Sequence, residues 1–365
     1  MQNPIKEALK FGQSIWFDGL VSKEEFERLI HEEGIRGATT NPTIFEKEIL
    51  GNRDNLELSR FIKTHTEEEI YKKIAVKAVQ DLADIFLPVF EETSGQDGYV
   101  SIEVSPLLAH NTKETIEEAR ELHRLVNRKN ILIKVPATRE GVPAVERLIA
   151  EGVSVNITLI FSIERYKEVM SAYLSGLEKR VEAGKSISEI ASVASFFVSR
   201  VDTATDKLIE EKIKMSADAA RTASLRKLLG KTAIANSKLA YEEFERIFRS
   251  SRFQKLKDGG ARVQRPLWAS TGTKNPVYSD VLYVESLIGP DTVNTLPPAT
   301  VAAFRGHGVV VPTLKEGYDE ARQVVQALQG TGISLSDITE GLEKAGVEAF
   351  SDSYKKIIEF IRTQK

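Results

Sequence analysis

A lysine inside an apolar, β-type run is the group in this sequence best placed to do chemistry. In Ile131-Leu132-Ile133-Lys134-Val135 the β-branched residues share one face of an extended segment, and Lys134 takes the other. The same parity sets Glu103 opposite the apolar residues of Val100–Val104, and Asn156 and Thr158 opposite those of Val155–Leu159. Asp18 closes the run Ile15-Trp16-Phe17-Asp18. Ser195, Phe197 and Ser199 share a face of the run that Arg200 follows. An amine held neutral by burial and its neighbours attacks a ketone, and the imine then acts as an electron sink for breaking the adjacent C–C bond. Asp18 suits the base that takes a hydroxyl proton in that cleavage. Glu103, with a water held by Thr158, suits the shuttling of protons while the imine forms. Asn41, Asn156 and Ser195 offer donors and acceptors to substrate hydroxyls. A phosphate would meet Arg200 and the turn Ser270-Thr271-Gly272-Thr273-Lys274, whose glycine lets backbone approach an anion.

Each residue also has a plainer reading. Lys134 and Glu103 would serve equally as a structural ion pair, since such networks mimic active sites. Asp18 would serve as a strand-end or helix cap, and Asn156 and Thr158 as core hydrogen-bond partners. Arg200 would serve as an ion-pair arginine and the Ser270–Lys274 turn as an ordinary connection. What favours chemistry is coincidence: these residues all fall late in their strands.

Eight short apolar or alternating runs read as strands: Ser14–Leu20, Gly37–Thr43, Tyr99–Pro106, Ile131–Ala137, Val153–Ser162, Ile190–Val198, Pro266–Thr271 and Thr292–Pro297. Helical patterns lie between them, at Glu68–Glu92, Lys113–Lys129, Glu164–Ala183 and Tyr278–Ile288. Strand–helix alternation predicts a parallel sheet, and eight strands in 365 residues predict a closed (β/α)8 barrel, the TIM-barrel class of α/β fold. In such barrels chemistry sits at the C-terminal ends of the strands, where these polar residues fall. Two or three additional helices are expected between strands six and seven, over Thr203–Gln264, with breaks at Gly230 and Asp258-Gly259-Gly260. About three more are expected after strand eight, over Pro298–Lys365, broken near Gly330 and Gly346. With no Pro/Ser-rich linker or internal repeat, residues 1–365 read as one domain, its C-terminal helices at about 314–363 packing on the barrel.

Composition narrows the function classes. The chain has no cysteine, which removes disulfides, thiolate zinc sites and a cysteine nucleophile. None of its five histidines lies in H-x-H or H-E-x-x-H spacing, so no metal is expected. No P-loop or dinucleotide fingerprint is present, and no cofactor is expected. The net charge of −3, with both signs interspersed, gives no nucleic-acid-binding stripe. No apolar run approaches the ~20 residues that span a bilayer, and the N-terminus has no apolar core of a leader, so a cytoplasmic protein is expected. Oligomeric state is left open, a homo-oligomer included.

Taken together and in order, seven stretches resemble the transaldolase family: SIWFDGL (14–20), GATTNPTIF (37–45), VSIEV (100–104), ILIKVPAT (131–138), NITLIFS (156–162), SFFVSR (195–200) and RPLWASTGTKN (265–275). RPLWASTGTKNP and TVNTLPPAT are similar to its longer bacterial and plant-type branch. The resemblance implies transfer of a dihydroxyacetone unit from sedoheptulose 7-phosphate to glyceraldehyde 3-phosphate, giving erythrose 4-phosphate and fructose 6-phosphate. That is a step of the non-oxidative pentose phosphate pathway, run through a Schiff base without a cofactor. By this resemblance the Schiff-base lysine is Lys134 and the acid/base aspartate Asp18. The water relay is Glu103 with Thr158. Asn41, Asn156, Ser195 and Phe197 line the sugar, and Arg200 and Ser270 bind phosphate. One position departs. The shorter branch has an arginine two residues past the serine where this chain has Gly272, and Lys274 is the nearest cation. Relatives with a fused C-terminal isomerase domain also exist, and the sequence ending at Lys365 is expected to lack one. A class I aldolase that releases the three-carbon unit, and a non-catalytic sugar-phosphate sensor, are the competing readings. The segments Leu314–Gln329 and Ala349–Ile361 read either as a stabilising helix pair or as a partial lid.

Overall fold

The eight apolar runs each form a strand, and the strands pair in parallel in chain order until the last meets the first. They are β1 Gln13–Asp18, β2 Ala38–Thr39, β3 Val100–Glu103, β4 Ile131–Pro136, β5 Val155–Ile160, β6 Ser192–Phe197, β7 Arg265–Ala269 and β8 Thr292–Leu296. The computed structural model describes residues 3–51 and 64–365. Register does most of the positioning. Glu103 lies across from Lys134, and Lys134 across from Asn156, so three adjacent strands present the three side chains at one level. Asp18 pairs with Thr39 in the same way.

The helices cover the outside of the barrel for the usual amphipathic reason. Thr112–Val126 buries Thr115, Ala119, Leu122 and Val126 at helical spacing, and Asn111 caps it by accepting the Glu114 N–H. It packs over β4 beside a helix that periodicity did not single out, Gly141–Glu151. Glu67–Glu92 opens on a full capping box between Thr66 and Glu69.

Three expectations need correction. The second strand is two residues long, because Pro42 lacks an N–H and starts the helix Pro42–Gly51. Asn41 closes that helix's first turn by accepting the Ile44 N–H at 3.0 Å. The helix expected over Tyr278–Ile288 shrinks to Leu282–Ser286, since 271–281 is loop, drawn together where Thr273 Oγ1 donates to Ser279 O at 2.8 Å. Gly346 does not break its helix. It lies inside Leu335–Thr363, where a Cβ would come within 2.8 Å of a Leu159 methyl, so the glycine lets that helix sit directly on β5. Leu159 has φ +60 at an irregularity in the β5–β6 register, a conformation a leucine rarely holds.

Between β6 and β7 run four helices, Ser199–Met215, Ala219–Arg226, Thr232–Phe248 and Ser251–Asp258, broken at Gly230 and Gly259–Gly260 as expected. One more forms than expected, because Asp218 caps Ala219–Arg226. After β8 come Pro298–His307, Tyr318–Gly330 and Leu335–Thr363. The last packs against Pro42–Gly51, Glu67–Glu92, Ser199–Met215 and β5, so it crosses the mouth of the barrel.

Candidate active site

Lys134 points into the barrel and is 4% exposed. Its Nζ donates to Thr40 O at 3.1 Å and stands 3.2 Å from Glu103 Oε2. That ion pair is not aligned as a hydrogen bond, so Glu103 Oε2 stays buried without a hydrogen-bond partner, and Thr158 Oγ1 is a second buried oxygen that has none. Buried polar atoms are normally satisfied, and these two oxygens sit on the strands that flank the one carrying the amine. Burial pushes the Glu103 carboxyl up, and the Lys134 charge opposes it only in part.

Asp18, at the end of β1, accepts the Thr39 hydroxyl at 2.6 Å. Burial raises its pKa. The Thr39 hydrogen bond and the charges of Lys134, Lys47 and Lys274 work against that rise.

These groups face a cavity of about 440 Å³ at the C-terminal end of the strands. Asp18, Asn41, Lys134, Thr158, Ser195, Phe197, Arg200, Ser270 and Lys274 border it. Two expected site residues stand behind its wall. Glu103 reaches the cavity through Lys134. Asn156 is fully buried, donating to Ser101 Oγ at 3.0 Å and accepting from Ser195 Oγ at 2.7 Å, so it orients the serine.

Cations gather at the rim. Arg200 lies 5.4 Å over the Phe197 ring and, among the described residues, has no carboxylate partner; burial lowers its pKa. Ser270 adopts φ +55, and its Oγ lies 3.1 Å from Ser199 Oγ. Lys274 is exposed beyond Gly272. No group of histidine and acidic residues able to hold a metal ion occurs among the described residues. None of the described helices is long and apolar enough to cross a membrane.

The sequence that builds this site has relatives among known proteins. The family model for transaldolase/fructose-6-phosphate aldolase matches residues 15–361. The chain belongs to this family. It is 46% identical over 365 residues to transaldolase 2 of Streptomyces avermitilis, covering 98% of this chain and 96% of that protein. It is 44% identical over 364 residues to the transaldolase of Trichodesmium erythraeum, with coverage of 98% and 96%. It is 43% identical over 371 residues to the transaldolase of Thermobifida fusca, with coverage of 100% and 99%.

Membership in the family does not name every residue around the cavity, and sequence reasoning missed three. Lys47 borders it with Thr43, Ile44 and Glu48, one face of the Pro42–Gly51 helix. The signal was available: Pro42 sets the start of that helix, and spacings of one, four and five residues then fall together. Thr39 was passed over because a threonine in a strand reads as ordinary β composition. Phe350 lies with its ring centroid 5.9 Å from Lys134 Nζ, carried there by the C-terminal helix.

Proposed function

We propose that the chain is a transaldolase working through an imine on Lys134. The observation that carries this reading is the buried amine itself, set off-line from Glu103 beside an unpartnered Thr158 hydroxyl at the floor of the cavity. A merely structural pair would be expected to satisfy both partners.

Glu103, its proton affinity raised by burial, takes the ammonium proton and leaves a neutral nucleophile. Lys134 Nζ adds to the ketose C2 carbonyl. Glu103 then returns a proton, through a water held by Thr158, to the carbinolamine hydroxyl, which departs as water and leaves the iminium. Asp18 removes the C4 hydroxyl proton, the C3–C4 bond breaks, and its electron pair passes into the iminium to give an enamine. The aldehyde leaves. The enamine attacks an acceptor aldehyde, Asp18 gives its proton to the new alkoxide, and water releases the ketose from Lys134. Ser195 and Asn41 bind hydroxyls, and Phe197 walls the sugar. Arg200, Ser270 and Lys274 hold the phosphate, with Lys274 standing in for the cation missing at Gly272. The C-terminal helix, with Phe350 over the amine, keeps water from the enamine and so favours transfer over release.

The donor and acceptor are sedoheptulose 7-phosphate and glyceraldehyde 3-phosphate, the products erythrose 4-phosphate and fructose 6-phosphate, in the non-oxidative pentose phosphate pathway. Borohydride reduction in the presence of fructose 6-phosphate tests the imine. Wild type should gain a covalent adduct that Lys134→Ala lacks, and an unmodified wild type would end this reading. Dihydroxyacetone accumulating without an acceptor would instead assign the aldolase activity that the family name also covers.

A further inference from the structure

The helix that opens at Ser199 carries two carboxylates one turn apart, Asp202 and Asp206, and they are only 1% and 6% exposed. Like charges at this spacing repel, and a buried carboxylate without a cation is costly. Among the described residues no cation faces either one. Each is held instead by backbone N–H and phenol donors. Asp202 accepts from Ala233 N at 2.7 Å and Tyr283 Oη at 2.9 Å. Asp206 accepts from Gly230 N at 3.1 Å and Tyr278 Oη at 2.7 Å. Gly230 has φ +69, and a Cβ there would lie 2.8 Å from the Tyr278 ring, so only glycine leaves room for the phenol.

These bonds join the two parts of the phosphate end. Arg200 stands just ahead of Asp202 on the same helix, and the connection between β7 and β8 carries Ser270, Lys274 and Tyr278 in its loop and Tyr283 in the short helix Leu282–Ser286. The loop is tied to the helix at its start, where Ser199 N donates to Ser270 O at 2.9 Å. It is tied again on its return by Tyr278 and Tyr283. Ser270 holds a left-handed backbone that is unfavourable for a non-glycine residue, which persists only where neighbours enforce it.

We propose that Asp202 and Asp206, acting through Tyr283 and Tyr278, are positioning residues that hold the β7–β8 loop in register with Arg200 and so set the affinity for the substrate phosphate. The proposal rests on the reading of Arg200 and Ser270 as phosphate-binding groups. None of the four touches the reacting atoms. Burial pushes the Asp202 carboxyl up to about 7.

Tyr278→Phe and Tyr283→Phe each remove one oxygen and test this alongside Arg200→Ala. Steady-state kinetics would use fructose 6-phosphate and unphosphorylated dihydroxyacetone as donors, with inorganic phosphate as inhibitor. Each tyrosine variant should raise KM for fructose 6-phosphate and the inhibition constant of phosphate about 3- to 10-fold, the worth of one hydrogen bond. Values of kcat and of KM for dihydroxyacetone should hold. Asp202→Asn should keep much of the affinity that Asp202→Ala loses, because an amide can accept from Ala233 N and donate to the Tyr283 oxygen. The proposal is overturned if both donors are affected alike, or neither is, while Arg200→Ala still discriminates between them. If Arg200→Ala discriminates no better, the phosphate reading falls and takes the proposal with it.

Discussion

The barrel encloses an ion pair at each end, and the two are built on opposite rules. At the N-terminal end Arg265 lies 3.0 Å from Asp97 and also donates to Ser14 Oγ and Thr292 O, both at 2.7 Å. Asp97 in turn accepts from Ser14 Oγ at 2.6 Å and Trp16 Nε1 at 3.0 Å. At the C-terminal end Lys134 and Glu103 stand 3.2 Å apart off hydrogen-bond alignment, and Glu103 Oε2 lacks a hydrogen bond. The cation types match these settings. A guanidinium stays charged at any working pH and fans its donors into several acceptors, whereas an ammonium can give its proton away. A network whose members are satisfied adds rigidity, and one left incomplete is poised for a guest.

The largest effect that would sharpen this contrast is on activity. Asp18→Ala should lower kcat by ~10²–10⁴-fold, the usual worth of a general acid/base, while borohydride still traps the imine on Lys134. Turnover near wild type would strip Asp18 of its assigned role. At the other end the effect should fall on stability. Arg265→Met leaves Asp97 buried without its cation and should cost about 3–5 kcal/mol by urea denaturation, with kcat near wild type. Lys134→Met should cost clearly less, because Glu103, already pushed up by burial, can take a proton. Equal losses for the two methionine variants would erase the distinction between the ends.

The smallest effect concerns pH. The Thr39 hydrogen bond favours the charged form of Asp18 and so lowers a pKa that burial raises. In Thr39→Val that pKa climbs further, and the base is protonated at a higher pH. The acid limb of kcat/KM should therefore move to higher pH, with activity lost first on the acid side and little changed on the alkaline plateau. An acid limb that stays in place would mean that the limb belongs to another group.

Much of the barrel was legible because strand periodicity is local. Alternation along Ile131–Val135 predicts that Lys134 turns inward, and it does. The bonds of Asn156 were not legible, since nothing in Val155–Leu159 says that both ends of its amide are taken by Ser101 and Ser195. Gly346 misled for a related reason. A glycine in a helical pattern reads as a break, and only the Leu159 methyl group lying against it shows why the helix needs it there.

The order of residue types along the chain was enough to specify eight strands, their inward faces and the presence of a lysine among acids and hydroxyls. Hydrophobic periodicity acts over a few residues and survives without any partner. Tertiary structure alone decided which oxygens remain unpartnered, that Phe350 joins the cavity, and that Asp202 and Asp206 are fastened to Tyr283 and Tyr278. Those facts depend on distances between segments far apart in the chain. Such distances are set by how the whole barrel closes and how its helices pack, which no local pattern encodes.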